Sequence, residues 1–331
     1  MKRWLIRILL LIVAVVGFVW LLAQAPTPSS ITYGVSFTKL HADELGLDWQ
    51  EVYIALLDEL GVRHLRLAAH WPMIEPERDI YDFSAMDYQI HQASKRDAEV
   101  VLAIGRRLPR WPECHTPHWV GTMEWEEQKM EIRQYLTAVV ERYKDESAIT
   151  YWQVENEPYL GVYASHICGD LDEEFLKEEV ALVRELDPNR PILVTDSGNL
   201  GTWYGAYTAG DAFGTSVYVH FWNPELGQFR TIQPPVVYRA KANLARLLFG
   251  DKPIFLIELS GEPWLLEPVT NTPVETQLTR MDIDKFNDIL EYARDTRFDT
   301  QYLWGVEWWY WMKYRAHPEF WNRAKELFMA Q

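Results

Sequence analysis

Residues Glu99–Ile104 read EVVLAI, a short and almost continuous apolar run of the kind found in parallel strands buried on both faces. A second such run, Ala148–Val154, follows further along the chain. Between the two runs, apolar residues recur at helical spacing: Ile132, Leu136, Val139, Val140 and Tyr143. This strand–helix–strand order predicts two parallel strands that are joined by a crossover helix.

The same alternation of strand and helix patterns extends in both directions along the chain. The other predicted strands are Ile31–Phe37, Val62–Ala69, Pro191–Thr195, Phe213–Val219, Pro253–Ile257 and Thr300–Gly305. Eight strands that mostly precede a helix predict one α/β domain at residues 31–331, a (β/α)8 TIM barrel. A doubly wound sheet is the alternative, but Phe37–Leu40 stands after the first strand, where such a sheet has a glycine-rich phosphate loop.

The composition describes a globular domain with a large core. The chain has 331 residues, of which 48% are hydrophobic, and this content excludes a disordered or collagen-like protein. Lys and Arg number 32 against 48 Asp and Glu, and the net charge of −16 argues against a nucleic acid partner. The 16 Trp residues are numerous, and flat indole faces favour stacking against ring-shaped ligands such as sugars.

The N-terminus carries the pattern of an export signal. Three basic residues stand before the apolar run Ile8–Ala23, namely Lys2, Arg3 and Arg7. This order is typical of a signal peptide or a signal anchor, and the run approaches the ~20 residues that span a bilayer. We therefore expect residues 1–25 to be a transmembrane or signal segment and residues 26–30 to be a linker.

Cleavage of this segment decides the predicted location of the protein. Ala23–Ala25 fits the cleavage pattern of signal peptidase, but Pro26 directly after it hinders that enzyme. An uncleaved segment predicts a membrane-anchored protein with its catalytic domain outside the cytoplasm, because the positive charges stay inside. A cleaved segment predicts a secreted protein.

Two cysteines, Cys114 and Cys168, are few for an exported protein. We expect them to be free thiols or to form one disulfide. A metal site would combine them with His115, His118 and His166, but the spacing Cys-His-x-x-His is not a standard zinc pattern. We therefore expect neither a metal nor another cofactor.

Carboxylates follow two of the predicted strands directly. Glu157 lies after the fourth strand, in the run Tyr151–Pro158 (YWQVENEP), and Glu258 follows the seventh strand. Strands four and seven lie on roughly opposite sides of an eight-stranded barrel, so the two carboxyl groups can face each other across its C-terminal mouth. Such a pair is what glycoside hydrolysis needs, since one group protonates the leaving oxygen and the other attacks the anomeric carbon or activates water.

The segment Trp152–Pro158 (WQVENEP) resembles the fourth-strand Asn-Glu-Pro signature of glycoside hydrolase clan A. Arg66–Trp71 on the second strand is similar to the Arg-x-x-x-x-Trp pattern of the same clan. The resemblance implies a retaining TIM-barrel glycosidase, as in the superfamily of cellulases, mannanases and galactosidases, with Glu157 as acid/base and Glu258 as nucleophile. The seventh strand departs from the clan pattern, which leaves Glu262 as a competing nucleophile.

The resemblance also implies a set of substrate-binding residues: Arg66, His70, Trp71, Asn156, Tyr218, His220, Trp308 and Trp309. In this interpretation Arg66 keeps the nucleophile ionised, Asn156 binds the sugar 2-hydroxyl group, and Tyr218 orients the nucleophile. One of the two adjacent tryptophans forms the floor of the sugar site. The two histidines touch sugar hydroxyl groups or make only structural contacts.

Two further features near the predicted site have alternative interpretations. Glu155 points in a different direction from its neighbours, and we interpret it as a buried structural carboxylate that pairs with an arginine. The basic loop Arg106–Pro112 either grips an acidic or branched sugar or pairs with nearby carboxylates, and we favour the pairing.

These residues predict a retaining glycoside hydrolase that cleaves β-glycosidic bonds of an extracellular or envelope oligosaccharide or polysaccharide by double displacement. The expected partners are the carbohydrate substrate and, through residues 1–25, the membrane, and we expect a monomer. Two alternatives remain, a catalytically inert barrel that binds glycans and a TIM-barrel hydrolase of another class, such as a metal-dependent one.

Overall fold

The computed structural model of the chain describes Trp4, Arg7 and residues 17–162 and 164–330. The strands in these residues are β1 (Thr32–Phe37), β2 (His64–Ala68), β3 (Glu99–Ile104), β4 (Ile149–Val154), β5 (Ile192–Asp196), β6 (Ala212–Val217), β7 (His220–Asn223), β8 (Gly227–Arg230), β9 (Ile254–Ser260) and β10 (Thr300–Trp304). Eight of them close into a parallel barrel in the order β1-β10-β9-β6-β5-β4-β3-β2, and β7 and β8 form a separate antiparallel hairpin. The predicted (β/α)8 barrel is therefore confirmed.

Helices lie between and after the strands. They are α1 (Lys39–Glu44), α2 (Trp49–Asp58), α3 (Trp71–Ile74), α4 (Ser84–Ser94), α5 (Trp125–Tyr143), α6 (Ser165–Cys168), α7 (Glu173–Leu186), α8 (Tyr204–Ala209), α9 (Val236–Phe249), α10 (Val274–Arg280), α11 (Ile283–Thr296), α12 (Val306–Lys313) and α13 (Glu319–Met329). Each strand predicted from the sequence overlaps an observed barrel strand.

The main core lies between the barrel strands and the surrounding helices, and α5 illustrates how it forms. The whole predicted stripe of α5, from Ile132 to Tyr143, is buried. Burying one such aliphatic side chain stabilises the fold by about 1.5–3 kcal/mol, so an apolar stripe fixes which face of the helix meets the barrel.

The barrel interior has its own apolar layer, made of residues that all lie on strands: Val101, Leu193, Ala212, Ile257 and Tyr302. Arg66 on β2 pairs laterally with Val101 on β3. Laterally paired residues point to the same face of a sheet, so Arg66 points into the barrel as Val101 does. The alternation along β2 therefore places the cationic side chain of Arg66 inside the barrel.

Two departures from the sequence prediction affect the mouth of the barrel. β9 continues past the predicted end at Ile257 to Ser260, so Glu258 lies within the strand and not after it. The hairpin β7–β8 was not predicted, because its strands are only four residues long and half-buried on both faces.

Within the described residues, no helix has both the length and the apolarity that a membrane span requires. The predicted segment 1–25 lies partly outside those residues, at 1–3, 5–6 and 8–16. The transmembrane or signal segment is therefore without support in the structure and stays a prediction, as do the boundaries of the linker at 26–30.

Candidate active site

The C-terminal mouth of the barrel brings together five of the predicted site residues: Arg66, Asn156, Glu157, Tyr218 and Glu258. They come from β2, from the residues after β4 and β6, and from β9. In TIM barrels the residues at this end of the strands form the active site, because the loops there can vary without disturbing the barrel.

Arg66 is the centre of this arrangement and is only 1% exposed. Its Nη1 donates to Oε2 of Glu258 at 2.8 Å, and its Nη2 donates to Oδ1 of Asn156 at 2.5 Å. Its Nε donates to Oε1 of Gln153 at 2.8 Å. A planar guanidinium holds its acceptors in fixed directions, so Arg66 positions the carboxylate of Glu258 and the amide of Asn156 together.

Glu157 sits in a strained and buried position. Its φ of 44° lies in the left-handed region, which non-glycine residues adopt rarely and often at functional sites. Its backbone N–H donates to Oγ1 of Thr195 at 2.8 Å, while its Oε1 is buried and finds no hydrogen-bond partner among the described residues. Burial and then the charge of Glu258 raise the pKa of Glu157 to about 8, so this carboxyl group holds its proton at neutral pH.

Tyr218 completes the contacts of Glu258. Its hydroxyl group donates to Oε1 of Glu258, on the oxygen that Arg66 leaves free. Burial and then the charge of Glu258 raise the pKa of Tyr218 well above its usual range, so the phenol remains a donor. Each oxygen of Glu258 is thus held by one donor.

A third carboxyl group, that of Glu113, reaches the same place from the loop after β3. Its Oε2 accepts from Nδ2 of Asn156 at 3.4 Å and lies 3.8 Å from Nε of Arg107. Burial and then the charge of Glu258 raise the pKa of Glu113 to about 7. In turn, the charge of Glu113 contributes to the raised pKa of Glu157.

A disulfide between Cys114 and Cys168 joins the loop after β3 to the end of α6, the short helix that follows β4. Of the two outcomes expected for the cysteines, the structure selects the disulfide. The metal site considered from the sequence fails, because the two thiols are bonded to each other. Across the part of the chain that the structure describes, no group of three or more His, Cys, Asp and Glu residues is placed to hold a metal ion.

Glu155 lies beneath the loop after β3 and is a structural residue. Its two oxygens accept from the backbone N–H groups of Arg106 at 2.7 Å and Arg107 at 2.6 Å, so it holds the loop backbone instead of forming the expected arginine side-chain pair. Gly105, with a φ of +123°, leaves the room that this contact needs, since a Cβ there would lie 2.3 Å from Oε1 of Glu155.

Glu262, the competing nucleophile, is held in a separate ion network. Arg110 donates to Glu262 through Nη1 and to Oε2 of Glu307 through Nη2 at 3.1 Å. Trp304 Nε1 also donates to Oε1 of Glu262 at 2.8 Å, and Arg110 stacks 4.0 Å from the centre of the Trp304 ring. The basic loop after β3 thus pairs with carboxylates at Arg110, as we favoured from the sequence.

Two predicted binding residues that follow the second strand lie in the core, which corrects the expectation that they touch the sugar. Trp71 is fully buried and donates from Nε1 to Oε2 of Glu75 at 2.8 Å. His70 is 2% exposed, and its Nε2 lies 3.0 Å from the carbonyl oxygen of Pro109. Burial and then the nearby His115 lower the pKa of His70 to about 3, so a neutral imidazole donates to the loop after β3.

The adjacent tryptophans Trp308 and Trp309 are also core residues, and the expectation that one of them faces the sugar is wrong. Both are fully buried on α12, where they donate to Oε1 of Gln277 and to the carbonyl oxygen of Gly261 at 2.7 Å each. They belong to a helix because β10 ends at Trp304, so alternation along a strand does not apply to them.

His220 joins the hairpin to α11 and makes no contact with the carboxyl groups of the mouth. Its Nε2 lies 2.9 Å from Oδ2 of Asp288, which also binds Arg230. Burial lowers the pKa of His220. Of the two uses considered for this histidine, the structure favours the structural contact.

The sequence analysis missed Glu113 and Trp304, and it considered Arg107 only as part of the basic loop Arg106–Pro112. Glu113 and Arg107 belong to a loop whose path depends on the disulfide and on its internal hydrogen bonds, which no local pattern reveals. Trp304 could have been found, because it is the last aromatic residue of the eighth barrel strand and therefore lies at the C-terminal mouth.

This geometry agrees with comparisons against known proteins. Residues 46–249 match the sequence model of glycoside hydrolase family 42, described as beta-galactosidase. The chain belongs to this family. By family and fold it belongs to glycoside hydrolase clan A, which confirms the resemblance seen in the sequence.

Curated relatives of this glycoside hydrolase family 42 chain are beta-galactosidases. Beta-galactosidase BgaH of Haloferax lucentense is 24% identical over 225 residues, which cover 61% of this chain and 30% of the relative. A beta-galactosidase of Arthrobacter sp. is 26% identical over 264 residues, which cover 73% of this chain and 34% of the relative. The family 42 chain thus spans about a third of the length of these relatives.

Solved structures share the fold of the family 42 chain. GH5_18 from Bifidobacterium longum subsp. longum superposes with a TM-score of 0.58 at 16% identity, covering 83% of this chain and 70% of that one. The beta-galactosidase from Rahnella sp. R3 superposes with a TM-score of 0.57 at 12% identity, covering 92% of this chain and 56% of that one. At these identities the likeness concerns the barrel alone.

Proposed function

We propose that this chain is a retaining β-glycosidase, with Glu157 as the acid/base and Glu258 as the nucleophile. The observation that carries the proposal is the unequal environment of the two carboxyl groups. Glu258 accepts from Arg66 and Tyr218, which hold its oxygens in place for attack. Glu157 has no cation beside it and a pKa raised to about 8, as a group that must donate a proton needs.

In the first step, an oxygen of Glu258 attacks the anomeric carbon while Glu157 gives its proton to the departing glycosidic oxygen. One carbon–oxygen bond forms and one breaks, so the sugar becomes an ester of Glu258. The ester removes the negative charge on Glu258 that Arg66 had paired with. The hydrogen bond from Arg66 to Asn156 remains and keeps that amide in place. Asn156 is suited to bind the sugar 2-hydroxyl group, as the clan resemblance implies.

In the second step, Glu157 serves as a base. Once Glu258 is esterified, its negative charge is gone. The pKa of Glu157 then falls, because that charge no longer raises it. The ionised Glu157 takes a proton from water, which attacks the anomeric carbon and releases Glu258. The sugar leaves with its original anomeric configuration after two inversions.

The first substrates to consider are β-galactosides, because the family and the curated relatives bear the beta-galactosidase name. An exported enzyme would meet them in extracellular or envelope oligosaccharides and polysaccharides, as predicted from the N-terminal sequence. An uncleaved signal anchor or a cleaved signal peptide would each give this location, as a membrane-anchored or a secreted enzyme, and both are part of the proposal.

The test uses 4-nitrophenyl β-galactoside, β-glucoside, β-mannoside and β-xyloside with the wild type and the variants Glu157→Gln and Glu258→Gln. We expect turnover of at least one glycoside by the wild type and loss of it in both variants. Proton NMR should show the β-anomer as the first product. Unchanged turnover in either variant contradicts its proposed role, and sugar binding without any turnover by the wild type favours the inert barrel.

A further inference from the structure

Glu113 is the carboxyl group of the mouth that remains most accessible. Its side chain is 27% exposed, whereas that of Glu258 is 7% exposed. Only one of its oxygens, Oε2, contacts Asn156, at the long distance of 3.4 Å. Glu113 therefore presents acceptor capacity to the space in front of Asn156 and Glu258.

Arg107, next to Glu113, brings donors that the protein leaves unused. It is 7% exposed, and its Nε and Nη2 have no hydrogen-bond partner within residues 17–162 and 164–330. Its Nε lies 3.8 Å from Glu113 Oε2, which is too far for a hydrogen bond. These two nitrogens have almost no accessible surface, so Arg107 acts on Glu113 through its charge and not on a ligand directly.

We propose that Glu113 accepts a hydrogen bond from a hydroxyl group of the sugar that binds beside Asn156, and that Arg107, with its Nε 3.8 Å from Oε2 of Glu113, holds that carboxylate in position. A sugar hydroxyl group is a donor, so a carboxylate oxygen that a guanidinium keeps in place can accept from it. This inference rests on the proposed glycosidase function and adds the residues that read the sugar.

The loop that carries Glu113 is braced for this role. The N–H of Leu108 donates to the Glu113 carbonyl group at 2.8 Å, and the N–H of Glu113 donates to the carbonyl group of Arg110 at 2.8 Å. The next residue, Cys114, is tied to Cys168 by the disulfide. A polar group must be fixed to recognise one hydroxyl group among several, and these contacts fix Glu113.

The experiment compares Glu113→Gln with the wild type at a pH above 7, where Glu113 is mostly ionised, on 4-nitrophenyl β-galactoside and its 3-, 4- and 6-deoxy analogues, or on the same series of whichever glycoside is hydrolysed. We expect kcat/KM to fall between about tenfold and hundredfold on the parent substrate, as for a lost bond to a charged group. On the one analogue that lacks the recognised hydroxyl group, the two proteins should have equal kcat/KM. Glu126→Gln, at a side chain that is 81% exposed, is the matched control and should change nothing.

An equal loss on the parent and on every analogue shows a merely structural role for Glu113 and overturns the inference, as does an unchanged kcat/KM. If the wild type hydrolyses no glycoside, the proposed function fails, and galactose binding measured by saturation-transfer NMR decides this inference separately. Binding that is lost in Glu113→Gln supports it. Equal binding, or binding to neither protein, overturns it.

Discussion

Two buried groups of charged side chains lie at the barrel mouth. Each consists of one arginine and two glutamates, but the hydrogen bonds between them differ. We call them the catalytic group, which is Arg66, Glu157 and Glu258, and the Arg110 group, which is Arg110, Glu262 and Glu307. In the Arg110 group, the arginine binds both carboxylates. In the catalytic group, the arginine binds only one and gives its other donors to neutral amides.

The two arrangements shift the pKa values of their glutamates in opposite directions, as Glu262 and Glu157 show. Although burial opposes it, the charge of Arg110 lowers the pKa of Glu262, which stays ionised and paired. Glu157 has no such cation, and burial together with the charge of Glu258 raises its pKa to about 8. The difference teaches that residue types alone do not make these glutamates reactive. A carboxyl group that keeps its proton at neutral pH, as an acid must, arises where burial and a neighbouring negative charge act on it without a cation.

The sharpest way to break this comparison is to neutralise one glutamate in each group. We expect Glu258→Gln to lower kcat/KM by at least about 10³-fold, because a carboxamide is a poor nucleophile. We expect Glu262→Gln to lower it less than tenfold, because Glu262 is engaged with Arg110 and Trp304. Steady-state kinetics on the best aryl glycoside measure both variants. Similar losses in the two variants would mean that Glu262 also takes part in the chemistry.

A stability measurement examines the Arg110 group directly. Arg110→Met should destabilise the fold by about 3–5 kcal/mol at pH 7, because it leaves the carboxylates of Glu262 and Glu307 buried without their cation. Urea unfolding followed by circular dichroism measures the loss.

The pH dependence of that loss follows from the pKa of Glu262. The folded-state pKa is lowered, so the stability that pairing contributes is present above the unfolded value of about 4.3 and disappears as pH falls through the folded value. The difference between Arg110→Met and the wild type should therefore shrink below pH 4. A difference that stays the same below pH 4 as at pH 7 would show that lost packing, and not charge, is responsible.

The disulfide affects both groups, because the loop after β3 supplies Arg110 to one group and Glu113 to the edge of the other. We expect Cys114→Ser/Cys168→Ser to lower the free energy of unfolding by about 2–4 kcal/mol, since the bond closes a loop with a sequence separation of 54. Thermal melts with and without dithiothreitol measure this, and reduction of the wild type should reproduce the double variant. A wild type that melts identically in reductant would contradict a stabilising role for the bond.

The fold and the position of the proposed catalytic pair at the barrel mouth were predictable because their signals are local. Apolar runs mark the strands, and Glu157 and Glu258 are polar residues at the ends of such runs. The chain topology then brings the ends of parallel strands to one face, so two distant glutamates could be placed together without any contact being known.

The sequence could not decide between Glu258 and Glu262 as the nucleophile as clearly as it predicted the fold. That choice depends on contacts between residues that are distant in sequence. Arg110, which engages Glu262, is 152 positions away. The misplacement of Trp308 and Trp309 has a different cause. The strand β10 stops at Trp304, and Gly305, with a φ of +113°, starts a helix that turns both indoles into the core. A glycine between two aromatic runs was the available signal for that turn.

The smallest expected effect concerns the hydroxyl group of Ser216, which forms a hydrogen bond with Glu157. A hydrogen bond from Ser216 favours the ionised form of Glu157 and so lowers its pKa, against burial and the charge of Glu258. Ser216→Ala should therefore raise that pKa further. Because Glu157 must be protonated to act, the alkaline limb of kcat/KM, expected near pH 8 in the wild type, should move to higher pH by less than about one unit. The acid limb is the internal control and should stay in place. Movement of the alkaline limb to lower pH would mean that a group other than Glu157 governs it, and the asymmetry between the two charge groups would then lose its kinetic meaning.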